Sequence, residues 1–109
     1  MVDIPVSYSI LEAEGSRHEA RAVDLSAGGL RIAGGIEVPQ GSNIELRFNL
    51  SSTQREILAQ GRVIMSFFNG AEQRYEQGVA FAQIAQDDQT VIDEYVRAVA
   101  RALKRAASS

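Results

Sequence analysis

The sequence predicts an all-β body followed by a single C-terminal helix, and three observations carry that expectation. Apolar residues recur at every second position in run after run, turn-forming Gly, Asn and Ser separate the runs, and spacings of three and four take over only after residue 86. Six short alternating runs with one terminal helix fit an antiparallel barrel or sandwich, closed or capped at one end by that helix.

In the first run Val6, Tyr8 and Ile10 alternate with Pro5, Ser7 and Ser9, and Glu14-Gly15-Ser16 supplies a tight connection. In the second, Ala20 and Ala22 share a face, yet Val23 and Leu25 fall on the other parity, which implies a bulge or a strand end. Leu30 and Ile32 mark the third. Ile44, Leu46, Phe48 and Leu50 alternate with Glu45, Arg47 and Asn49 as a half-buried fourth strand. The period-two set Ala59, Gly61, Val63, Met65 and Phe67 forms the fifth, which assigns Met65 and Phe67 to the core and leaves Phe68 exposed. Asn69-Gly70 then predicts a hairpin into a sixth strand over Tyr75 to Phe81. These runs put the barrel at about residues 2–83 of a single domain spanning residues 1–109. Asp87 and Asp88 precede Val91, Ile92, Tyr95, Val96, Val99 and Leu103, and Arg101, Lys104 and Arg105 follow. One apolar face and both charge biases suit a helix from about residue 88 or 89 to Ala106.

With 109 residues the chain has room for one modest core and no second domain. Lys plus Arg number 11 against 14 Asp plus Glu, a net charge of −3, which argues against a broad electrostatic footprint for DNA, RNA or anionic membrane. Cysteine is absent, so thiol catalysis and thiolate metal sites are excluded. No apolar run is long enough to span a membrane and no signal peptide opens the chain, so no membrane insertion is expected and cytoplasm is the default location. His18 is the single histidine, and strand rise keeps it about 20 Å from Asp24, which removes a triad through His18, Asp24 and Ser26 in an unbent strand. No metal-ligand spacing exists, and no enzyme activity or cofactor is expected.

The densest cluster of special residues is Asp24-Leu25-Ser26-Ala27-Gly28-Gly29-Leu30-Arg31-Ile32, between two strand runs. Asp and Ser two apart at a strand end fold onto nearby backbone N–H groups, and paired glycines permit unusual φ or the close approach of another molecule. Two readings stand: a self-satisfied turn required by the barrel, or a turn that also offers polar groups to a ligand.

Asp24, Ser26 and Gly29 match the D/N-x-S-x-x-G signature, and this stretch resembles PilZ domains; Gly78-Val79-Ala80-Phe81 is similar to the late G-V-x-F strand of that family, with a terminal helix following. The resemblance implies a six-stranded antiparallel PilZ-like barrel and, as many members are receptors for cyclic di-GMP, that nucleotide as ligand. It implies that Asp24 and Ser26 hydrogen-bond the guanine edge, with Gly29, helped by Gly28, letting the purine lie close to the backbone. The family also carries R-x-x-x-R just before the first strand. Only Met1 stands there in this sequence, so weak or undetectable binding is expected of this chain. Arg17-His18-Glu19-Ala20-Arg21 fits the string in the wrong place, with Arg17 and Arg21 about 13 Å apart on one strand face and Glu19 between them. A solvated charge ladder and a substitute phosphate clamp both remain open there, and Arg21 and Arg31 are the candidate phosphate contacts. The expected function is a cyclic di-GMP effector module read by a protein partner or an attached domain, with self-association through the Ala98, Ala102 and Ala106 helix face as a further expectation. The competing reading is a divergent adaptor that binds protein and not nucleotide.

Overall fold

A computed structural model of the chain describes residues 2–13, 15–50 and 55–108; Met1, Glu14 of the predicted first turn, and Ser109 of the chain's end lie outside the described residues. Six antiparallel strands, β1 (Ile4–Ile10), β2 (His18–Ser26), β3 (Gly29–Gly34), β4 (Asn43–Asn49), β5 (Glu56–Asn69) and β6 (Arg74–Ile84), precede one helix, α1 (Gln86–Ser108). They close into a barrel of order β1-β2-β3-β6-β5-β4, so among the described residues every strand has two neighbours and no whole strand is an open edge.

Alternation decides what faces inward. Ile4, Val6 and Tyr8 from β1, Ile44, Leu46 and Phe48 from β4, and Ile57, Ala59 and Val63 from β5 fill the interior beside Ile32 and Val79, with Val38 and Leu50 added from connections. Gln77 also points into this interior and meets the polar requirement by donating from Nε2 to the Ile36 carbonyl at 3.3 Å. Tyr8 is buried, which raises its hydroxyl pKa, and its ring rests against the half-buried His18 at a centroid distance of 5.3 Å.

The helix begins at Gln86 and ends at Ser108, three residues earlier and two later than the periodicity from Gln89 to Ala106 implies. The Gln89 N–H donates to the Ala85 carbonyl at 2.9 Å, which puts Asp87 and Asp88 inside the first turn; the Asp88 side chain there is only 8% exposed, is ion-paired with Arg55 at 2.9 Å and also serves the positive helix end. Ile92 is fully buried in the barrel core and anchors the helix. From Arg101 onward the described side chains are exposed, so the last two turns run past the barrel.

One assignment requires correction. Met65 and Phe67 are 42% and 40% exposed and do not belong to the core. Val63 pairs with Val79 and Met65 with Gly78, so Ile64 is an extra residue on β5 and the alternation reverses faces beyond it. Phe68 is exposed as expected, its ring packed edge-on to Tyr75 at 5.0 Å.

Candidate functional site

The predicted bulge in β2 exists: Ala22 pairs with Ile32 and Asp24 with Arg31, leaving Val23 as the extra residue. Its effect is to turn Leu25 toward the barrel's apolar interior and Asp24 and Ser26 outward. Strand register then builds an outward surface in two rows. Asp24, Arg31, Gly78 and Met65 lie side by side in one row, and Ser26, Gly29 and Ala80 in the next.

β6 offers only Gly78 and Ala80 to this stretch of surface, so no β6 side chain larger than a methyl rises from it, while Met65 Cε and Ile64 Cγ1 of β5 lie 3.4 and 3.8 Å from the point where a Gly78 Cβ would stand. The result is an open cavity of about 480 Å³ lined by Asp24, Ser26, Gly28, Arg31, Ile64 and Ala80, among others. That volume falls within the range of about 300–1,000 Å³ usual for small-molecule sites. A second hollow of about 470 Å³ near Leu58, Gln60 and Asp88 brings carboxylates and amides but no guanidinium among its described lining residues.

The turn itself is held from inside the protein. Ser26 Oγ donates to the Gly29 carbonyl at 3.2 Å, the Phe81 N–H donates to the Gly28 carbonyl at 2.9 Å, and Gln89 Nε2 of α1 donates to the Ala27 carbonyl at 2.8 Å. The two glycines have different duties. A Cβ on Gly29 would overlap the Val79 carbonyl oxygen, so glycine is demanded there by the approach of β6. A Cβ on Gly28 would meet nothing within 4 Å, so the barrel places no such demand on Gly28.

Charge at the site is organised by a residue that sequence reasoning missed. Glu76 sits outward on β6 beyond Gly78, yet its side chain is 3% exposed. Asn69 Nδ2 donates to its Oε2 at 2.8 Å and Arg74 Nε does so at 3.0 Å. Arg31 Nε lies 3.5 Å from Oε1, near enough for an ion pair and too far for a hydrogen bond. The Asn69 hydrogen bond, opposed by desolvation and aided by Arg74 and Arg31, holds this carboxyl below its ordinary pKa. Arg31 reaches the other way to Asp24 Oδ2 at 2.6 Å, and thus bridges two carboxylates while remaining 38% exposed. The only signal for Glu76 in the sequence is its outward parity, which by itself describes a solvated residue.

Asp24, Ser26, Gly28, Gly29 and Arg31 are therefore brought together, and Arg21 is not. Arg21 Nε donates to Asp3 Oδ1 at 2.7 Å, which lowers the Asp3 pKa, and Arg21 is not among the residues lining the cavity. Arg17 precedes β2, donates from Nη1 to Ser7 Oγ at 2.7 Å and is ion-paired with Glu45 at 3.4 Å. The partners of both arginines, Ser7, Glu45 and Asp3, lie outside the Arg17–Arg21 string.

A family model described as PilZ domain matches residues 2–98. Among solved structures, the chain is similar to the Bacillus subtilis Inhibitor of motility (MotI/DgrA), at 19% identity over 94% of this chain and 48% of that one, with a TM-score of 0.78. It is similar to the PilZ domain with c-di-GMP of YcgR from Escherichia coli, at 15% identity, 97% and 88% coverage and a TM-score of 0.65. It is also similar to the Borreliella burgdorferi PlzA protein in complex with c-di-GMP, at 18% identity, 84% and 31% coverage and a TM-score of 0.59. The chain thus spans about half of the first of these proteins and about a third of the last. No curated protein matches it. Identities this low establish a common fold, a closed six-stranded barrel with a C-terminal helix.

Proposed function

This chain belongs to the PilZ domain family, and on that premise we propose that it is a cyclic di-GMP-binding regulatory module without catalytic activity. The observation that carries the reading is the open cavity above Gly78 and Ala80, onto which Asp24 and Ser26 face and beside which Arg31 is held. Guanine presents N–H donors on one edge and ring and carbonyl acceptors on the other. Asp24 accepts from the donors with the oxygen that Arg31 leaves open, Ser26 Oγ adds a second polar contact, and Gly28 lets the base approach the turn. Arg31 is the preferred phosphate contact, because it lines the cavity and Arg21 does not.

A single half-exposed guanidinium already shared by two carboxylates is a weak grip on two phosphodiesters. The Val2 N–H donates to the Val23 carbonyl at 3.0 Å, and Val2 lines a smaller hollow with Asp24 and Tyr95, so residues preceding Val2 in a longer chain would start beside Asp24. Arginines on such a segment would supply the missing cations. The Gln89 contact to Ala27 gives the turn a direct route to α1, through which a partner, an attached domain or a second copy of the chain would sense the ligand. No helix among the described residues is long and apolar enough to cross a membrane, and we place the module in the cytoplasm.

The internal engagement of Asp24 and Ser26 favours the second reading, a protein-binding adaptor that takes no nucleotide. Calorimetric titration with cyclic di-GMP separates the two, performed on this chain and on a version preceded by an R-x-x-x-R segment. The receptor reading expects weak binding that the added segment tightens and that Asp24→Ala and Ser26→Ala each weaken by about 1–3 kcal/mol. Absence of heat and of a thermal shift with the segment present withdraws it, and a partner captured equally by wild type and Asp24→Ala establishes the adaptor.

A further inference from the structure

Barrel closure covers only part of β5. β4 accompanies it from Glu56 to Arg62, after which the Val63 N–H donates to the Ser42 carbonyl at 2.9 Å and the Gly41 N–H donates to the Val63 carbonyl at 2.7 Å. From Met65 to Asn69 the strand pairs with β6 alone, and among the described residues its other edge has no backbone partner. The bulge at Ile64 stands at this point of departure, and a bulge bends the strand that carries it. About 17 Å of open ladder results, at about 3.4 Å per residue. Sheets blunt such edges with charge or proline. Residues 64–69 contain neither, and Ile64, Met65, Phe67 and Phe68 are 58%, 42%, 40% and 51% exposed. An edge of this kind recruits another strand.

The flanks indicate which strand. Arg62 stands at one end of the uncharged stretch and Glu72 at the other, both exposed, and among the described residues neither is in an ion pair. Arg62 acts on Glu12 only at longer range, as the weakest of the influences that lower the pKa of that carboxyl. Opposite charges at the two ends of an apolar edge fit a second copy running antiparallel, because a two-fold axis sets each end of one strand against the other end of its counterpart. Phe67 lies midway between Arg62 and Glu72. We propose that this chain forms a two-fold dimer by antiparallel pairing of the β5 edge with a second copy, centred on Phe67: Phe67 meets its counterpart, Met65 meets Asn69, and Arg62 of each copy meets Glu72 of the other. Such a dimer forms without nucleotide, independently of the receptor reading, and joins the copies through β5 instead of the Ala98, Ala102 and Ala106 helix face. A single short ladder is at the small end of specific interfaces, below about 1,200 Å², so the association is reversible.

Sedimentation velocity of the chain without nucleotide, from about 1 μM to about 1 mM, should show a monomer–dimer equilibrium. Phe67→Lys sets two like charges at the two-fold axis and should weaken the dimer at least about tenfold, whereas Leu103→Ser, at a 61% exposed position on α1, should leave it unchanged. Arg62→Glu alone and Glu72→Arg alone place like charges opposite each other and should each weaken association about tenfold. Mixing those two variants should restore it, because each supplies the charge that the other lacks. The mixture decides even if Phe67→Lys fails to fold, since both charge reversals lie at exposed positions. A mixture no tighter than its components would overturn the proposal, as would a dimer lost in Leu103→Ser and kept in Phe67→Lys, which would move the contact to the helix. A monomer at every concentration would overturn it too and leave the edge to the strand of a different protein.

Discussion

Two adjacent glycines should respond to the same substitution with opposite signs. At Gly29 the obstacle to a methyl group is the Val79 carbonyl oxygen, a backbone atom of a strand paired on both sides, so relief requires β3 and β6 to separate where Gly29 faces Ala80. Overpacking costs about 1–3 kcal/mol, and a rigid obstacle places Gly29→Ala at the upper end. At Gly28 the space is open and φ lies outside the left-handed region, so alanine mainly restricts the unfolded chain and stabilises by about 0.4–1 kcal/mol. Unfolding entropy of about 2.1 cal/mol/K per residue gives about 0.23 kcal/mol/K for 109 residues, so 1 kcal/mol moves Tm by about 4 °C. Circular-dichroism melts should then show Gly29→Ala about 13 °C below wild type and Gly28→Ala about 2–4 °C above it. A Gly29→Ala protein melting within about 3 °C of wild type, or equal losses at the two positions, would refute the assignment of separate roles. If the ligand approaches the turn at Gly28, that same alanine should also lower cyclic di-GMP affinity in a protein that is no less stable.

Other substitutions probe the remaining structure. Glu76→Gln should destabilise by about 1–3 kcal/mol in urea titrations, since it leaves Arg31 and Arg74 without their shared carboxylate. Because the folded pKa of Glu76 is depressed below 4.5, its stabilisation is fully present above that pH and is lost as pH falls through the folded value; Glu76→Gln should flatten the stability profile in that acid window, which melts between pH 6 and 3 would show. Phe67→Ser should change stability by no more than about 0.5 kcal/mol, whereas Phe48→Ala should cost about 3–5 kcal/mol, and comparable losses would contradict the reversal of faces at Ile64. Ile92→Ala should cost about 2–5 kcal/mol and raise hydrogen exchange along the first half of α1, as that residue anchors the helix in the barrel.

The strands were legible because a barrel with one wet face imposes a period of two, and Val6, Tyr8, Ile44, Leu46 and Phe48 obey it without exception. The β2 bulge was legible for the same reason, since Ala22 and Leu25 fall on opposite parities and no regular strand buries both. The β5 bulge was not. Val63, Ile64, Met65, Ser66, Phe67 and Phe68 are nearly all apolar, so a strand that continues and a strand that slips by one residue write the same string. Only pairing with Gly78 and Val79, which depends on a partner strand 13 or more residues away, distinguishes them.

The same asymmetry explains what could be seen of the candidate site. Asp24, Ser26, Gly28 and Gly29 lie within six residues, so local turn chemistry brings them to notice whether or not a ligand follows. Glu76 and Ala80 on β6 and Ile64 on β5 reach the same surface only through the β3–β6 and β5–β6 ladders, and nothing near any of them in the chain marks it as unusual. Glu76 shows the physical cost of that arrangement: a carboxylate taken out of water is tolerable only because Asn69, Arg74 and Arg31 converge on it. A barrel needing only closure could place a small apolar residue there. Here the carboxylate instead fixes Arg31 beside Asp24 at the edge of the cavity, so the Glu76 cluster is continuous with the candidate site and not with the apolar core.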